Sequence, residues 1–161
     1  MNTGDMSKVN LQERQDAFQV WLMEFDRFLA DWMDGLPEDL PAKLDYSPAS
    51  LAALGDWSMD RWADVPAVRA DQDGWNAASI YLGETIRKTL GGRWELCIHD
   101  PKNVFFALPT LIRDTNPAPV CPSTLISASV DRRDPRMLKT LLERWSARVD
   151  GVPSRADGIP R

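Results

Sequence analysis

Apolar residues recur at positions 11, 18, 21, 22, 25, 28, 29 and 32, with Phe18, Leu22, Phe25, Leu29 and Trp32 along one stripe. This spacing predicts a helix from about Leu11 to Trp32, ended by Gly35 and Pro37. Residues 1–8 read as a frayed start. After the connector "GLPEDLPAKLDY", Ser47 and Pro48 suit the cap and first position of a second helix, which carries Leu51, Leu54 and Trp57 and stops near Trp62. "DVPAVRADQDG" reads as a loop or a ragged turn. A third helix is predicted from a cap at Asp71 or Asp73 to about Leu90, with Trp75, Ala78, Leu82 and Ile86 as its inner stripe. Gly91-Gly92 stops it, because glycine takes the left-handed conformation at little cost.

The period then changes from 3.6 to 2. "RWELCIHD" alternates Trp94, Leu96 and Ile98 against Arg93, Glu95, Cys97 and His99, as a half-buried strand does. "DPKN" has turn chemistry. "VFFAL" and "TLIRD" read as one broken strand or two short ones, "DTNPAPVCPS" as a loop, and "TLISASV", residues 124–130, as a further strand. Asp134-Pro135 opens a last helix striped with Leu138, Leu141, Leu142, Trp145 and Val149. Helices and strands are thus segregated. The expected fold is α+β: three N-terminal helices, an antiparallel sheet of three to four short strands, and one C-terminal helix. A single domain is expected over residues 1–150, followed by a mobile tail at 151–161.

With 161 residues, 43% of them apolar, the chain can bury a real core without staples. Seven tryptophans are many for this length; a few should be core, with one or two at an interface. The N-terminus lacks a basic segment followed by an apolar run, and no apolar stretch reaches the ~18 residues of a membrane span. A soluble cytoplasmic protein is therefore expected, with no membrane partner and with Cys97 and Cys121 as free thiols.

Charge sharpens the picture. Residues 1–75 hold 15 acids and 6 bases, whereas residues 131–161 hold 5 acids and 8 bases. An acidic N-terminal half repels nucleic acid and attracts basic proteins, although the same charges also serve solubility. Catalytic patterns are missing. The single histidine, His99, has no G-x-S-x-G serine to serve, and its neighbour Cys97 completes no metal-ligand spacing. No phosphate-binding glycine loop occurs, since Gly91-Gly92 follows a helix instead of opening one. No catalytic residue, metal or cofactor is expected.

Gly83 stands out. It interrupts the third helix at a cost of about 1 kcal/mol relative to alanine, beside Glu84 and Arg87. Two readings stay open: a close approach of other structure to the helix, or a groove lined by Tyr81, Glu84, Arg87, Arg93 and His99.

"YLGETIRKTLGGRW", together with "LDYSPASLAALGDW" before it and the proline-rich Pro117–Pro122 loop after it, resembles a family of small, mostly uncharacterised bacterial proteins. Its members carry a Y-[IL]-G-E helix and a G-G-[RK]-W step into a strand. The resemblance spans roughly residues 44–145 and implies a fold, without implying catalytic residues. Comparable small domains occur among immunity proteins that neutralise bacterial toxins.

The first expectation is therefore a non-enzymatic immunity protein that occludes a basic toxin domain. Its acidic face would hold Asp26, Asp31, Asp34, Glu38, Asp39, Asp56, Asp60 and Asp64, with Trp32 or Trp57 as a buried anchor. The second is a small enzyme or ligand-binding domain with a cleft between the third helix and the sheet. The third is a homodimeric scaffold subunit.

Overall fold

Helix α6 (Gln72–Leu90) is the axis of the molecule. Ala77, Ala78, Ile80, Tyr81, Leu82, Thr85 and Ile86 are all buried, so apolar positions surround it instead of forming one stripe. A helix of that kind must be covered on several sides. In the computed structural model, which describes residues 3–113 and 118–150, its covers are α2 (Phe25–Asp34), α5 (Val65–Ala70), α7 (Pro122–Asp131) and α8 (Met137–Asp150). Helix α4 (Ser50–Arg61) closes the layer by packing on α7 and α8. Helix α1 (Thr3–Met23) and the one-turn α3 (Leu40–Lys43) lie outside this core. Leu51, Leu54, Trp62, Val68, Leu111, Ile126 and Leu142 fill the space between the elements.

Strand β1 (Arg93–Leu96) pairs antiparallel with β2 (Pro109–Ile112), Trp94 facing Leu111 and Glu95 facing Thr110. Among the described residues these are the only two strands, and the helices number eight. The expected α+β layout with three or four strands is thereby corrected: the protein is mostly helical with one hairpin.

Three local causes account for the difference. Residues 124–130 are helical within α7, because Pro122 stands in its first turn and Pro122, Ile126, Ser129 and Val130 form its buried face. Its hydroxyls bond back to preceding carbonyls, Ser127 to Thr124 and Ser129 to Ile126, which removes their competition with the helix. Residues 104–108 turn instead of extending. Asn103 accepts a side-chain hydrogen bond from the Phe105 amide, Ala107 has φ +65°, and Val104 is 82% exposed. Residues 97–99 leave the ladder after a last bond from the Ala107 amide to the Cys97 carbonyl.

The helix expected over residues 11–32 begins at Thr3 and breaks at Glu24, whose φ of −100° and ψ of 7° turn the chain between α1 and α2. Residues 64–74, expected as a loop or ragged turn, contain α5, capped by Asp64, which accepts from the Ala67 amide at 3.0 Å. Asp71 caps α6 through the Gly74 amide and also accepts from Arg61 and from the Trp62 indole. Ser47 acts one turn ahead of α4, its hydroxyl accepting from the Ser50 amide at 3.2 Å. The far end of α4 is held by Arg133, which donates to the carbonyls of Met59, Trp62 and Ala63. A cation on the last carbonyls suits a helix C-terminus. The expected tail at 151–161 lies outside the described residues.

Candidate functional site

The interrupted helix proves to be a seat for a tryptophan. A Cβ on Gly83 would overlap Cη2 and Cζ2 of Trp94 and come within 3.2 Å of Pro122 Cγ. Glu84, one residue on, accepts from Trp94 Nε1 at 3.0 Å and from Arg87 Nε and Nη2 at 2.8 and 3.0 Å. Gly83, Glu84, Arg87 and Trp94 thus form one device that fastens β1 to α6. Burial pushes the Glu84 carboxyl up, but the bonds from Arg87 and Trp94, with the charges of Arg87 and Lys88, outweigh it and hold the group below its ordinary range.

The five proposed groove residues do not converge. Tyr81 is fully buried; its hydroxyl accepts from the Tyr46 amide at 2.9 Å and lies 2.7 Å from Ser50 Oγ. Burial pushes that hydroxyl's pKa up, so it stays protonated and works as a core hydrogen-bonding group. Arg93 is exposed and pairs with Glu95 at 2.6 Å. His99 is exposed, in a depression with Leu11, Gln15 and Ile98.

A cleft between α6 and the hairpin does exist, built from other residues. Its volume is about 460 Å³, and Phe18, Trp21, Trp75, Trp94, Leu96 and Pro109 supply most of its apolar wall. Trp75 and Ser79 come from α6, and Phe18 and Trp21 from α1, each pair at helical spacing. Trp21 meets Trp94 edge to face, with centroids 5.2 Å apart and planes at 88°. That spacing was visible in the sequence, but nothing there showed that the two helices and the hairpin would share a space.

The acidic residues divide. All eight carboxylates of the expected face are exposed. Asp39, Asp56 and Asp60 come together around one depression of about 600 Å³, joined by Asp45 and, among the described residues, by a single cation, Lys43. Trp57 lies in its wall, braced edge-on by Trp32 at 5.3 Å and by Trp62 at 4.9 Å. Sequence reasoning missed Asp45 and Lys43, which adjoin α3, because only folding brings them against α4. Asp31 and Trp32 sit in a neighbouring cleft with Asp71, Asp73, Arg27 and Arg61, where two cations offset most of the acidic charge. Asp26, Asp34 and Glu38 line neither concavity, and Asp64 is spent on capping α5.

Arg113 is a separate anomaly. It is 4% exposed, its guanidinium lies 4.9 Å above the Trp145 ring, and its Nε has no hydrogen-bond partner. Burial and the charge of Arg148 both push its pKa down.

Among the described residues, no three His, Cys, Asp or Glu side chains are grouped to hold a metal ion, and no helix is long and apolar enough to cross a membrane. Cys97 and Cys121 are both free thiols. No family model matches the sequence, and neither does any curated protein or solved structure.

Proposed function

We propose that this chain is a non-catalytic protein-binding module of the immunity type, which neutralises a basic partner by covering its active surface. The observation that carries this reading is the ring of Asp39, Asp45, Asp56 and Asp60 around the depression beside Trp57, with Lys43 as its one cation among the described residues. Four carboxylates so placed set up a local negative potential that steers a basic surface into contact. Trp57, braced by two other indoles, offers a rigid apolar patch in the middle of that field, the kind of anchor that dominates binding energy once water is excluded.

The test uses the full chain, immobilised and exposed to proteins from its own source at low and at high salt. Retained basic proteins are identified, purified and titrated calorimetrically. A partner that fits the reading binds with a Kd that rises steeply with salt. It loses roughly tenfold or more in affinity to Asp56→Asn with Asp60→Asn, as expected for charges facing charges across an interface. A partner whose affinity ignores both the double substitution and Trp57→Ala would refute this docking surface.

A further inference from the structure

We propose a second, independent site: the tryptophan-lined cleft binds a planar aromatic molecule bearing one carboxylate. The cleft shares no lining residue with the acidic depression, so the two proposals stand or fall separately. Its volume of about 460 Å³ lies within the range of small-molecule pockets.

The class of ligand follows from what the walls can offer. All three indole N–H groups are already committed: Trp21 donates to Asn76 Oδ1 at 2.7 Å, Trp75 to the Ser123 carbonyl at 2.9 Å, and Trp94 to Glu84 at 3.0 Å. The tryptophans therefore have ring surface left to give, and little hydrogen-bonding capacity. Those internal bonds, with Gly83 seating Trp94, also fix the rings before anything binds, which lowers the ordering cost of association. Trp21 and Trp94 stand at 88° to each other. A flat ring stacked on one meets the other edge-on, which is the favoured geometry for both contacts.

Charge then selects the substituent. Among the described residues, Arg14, on α1, is the one charged residue lining the cleft, and no carboxylate lines it. Among the described residues Arg14 makes no ion pair. A guanidinium at the edge of an aromatic slot fits a carboxylate in a forked pair. A cationic ligand would find no counter-charge there.

The experiment uses 2-naphthoate as the probe, with 2-naphthalenemethanol as its neutral analogue and decanoate as a non-aromatic anion. Binding is followed by calorimetry and by the indole N–H resonances of the 15N-labelled full chain. Saturable one-to-one binding of 2-naphthoate is expected, shifting the resonances of Trp21, Trp75 and Trp94 more than that of Trp145. Arg14→Gln should raise the Kd for 2-naphthoate roughly two- to fivefold, the size of one exposed ion pair, and leave the Kd for the alcohol unchanged. Ala17→Phe places a ring in the cleft from an exposed position on α1 and should abolish binding with the urea midpoint unchanged. The proposal is overturned if 2-naphthoate fails to saturate up to its solubility limit, or if decanoate binds as tightly. It is overturned equally if neither Arg14→Gln nor Ala17→Phe affects binding.

Discussion

Replacing Gly83 with alanine should destabilise the protein, although an alanine scale for helices says the opposite. On propensity alone, alanine in the interior of α6 gains about 1 kcal/mol over glycine. Against this, the new methyl occupies the space of the Trp94 six-membered ring and presses on Pro122 Cγ at 3.2 Å. Trp94 cannot slide away freely. Its Nε1 is tied to Glu84, and its ring packs edge to face with Trp21 at 5.2 Å and with Phe25 at 5.4 Å. Displacing it forfeits about 1.5–3 kcal/mol for a hydrogen bond to a charged acceptor and roughly 0.5–1.5 kcal/mol for each aromatic pair. Complete loss of all three contacts would cost about 2.5–6 kcal/mol, so after the helical gain the net destabilisation is about 1.5–5 kcal/mol. Urea denaturation followed by far-UV circular dichroism measures it, and the near-UV signal reports whether Trp94 has moved. The decisive comparison is a reversal of sign. In a Trp94→Ala background the obstacle is gone, and Gly83→Ala should then stabilise by about 0.5–1 kcal/mol. A Gly83→Ala protein as stable as wild type, or the same effect in both backgrounds, would show that Trp94 does not occupy this seat.

Three further outcomes follow from the same physical reading. Tyr81→Phe should cost about 1–3 kcal/mol, since it strands the Tyr46 amide beside a buried hydroxyl; a neutral result in urea melts would place that tyrosine at an accessible surface instead. Arg113→Met should stabilise by about 1 kcal/mol or more, because methionine keeps the packing on Trp145 and removes a buried cation whose Nε is unpaired; a lowered denaturation midpoint would mean that the guanidinium has an acceptor. Glu84 has a folded pKa below its unfolded one, so its stabilising contribution is complete above the ordinary glutamate value of about 4.3 and is lost as pH falls through the folded value. Glu84→Gln should therefore be less stable near pH 7 and show a shallower loss of stability on acidification; parallel curves for the two proteins between pH 7 and pH 3 would refute the assignment.

The chain's own pattern determined α6 almost to the residue: an aspartate cap at 71, an apolar run, and Gly91 with φ +78° as the stop. It also determined the step from helix to strand, because periods of 3.6 and 2 are local properties of side-chain direction. It marked Gly83 as a residue with a purpose, since an unfavourable glycine inside a helix needs a compensating contact. Local pattern misled where short β-branched stretches could serve either structure. Residues 124–130 became helix because α6 and β2 supplied a surface for one face of α7, and only packing discriminates between the two forms at that length.

What tertiary structure alone decided is which residues meet. Glu84, a candidate for a groove, instead holds Trp94 and is braced by Arg87, while Tyr81 is buried and bonded to Tyr46 and Ser50. Asp45 and Lys43 join Asp56 and Asp60 across a connector, and Phe18 and Trp21 meet Trp75 and Trp94 from far along the chain. Hydrophobic burial specifies that such side chains must be covered without specifying by what, because it is non-directional. The identity of the cover, and so the shape of both concavities, is settled by how α1, α3 and the hairpin come to rest against the helical core.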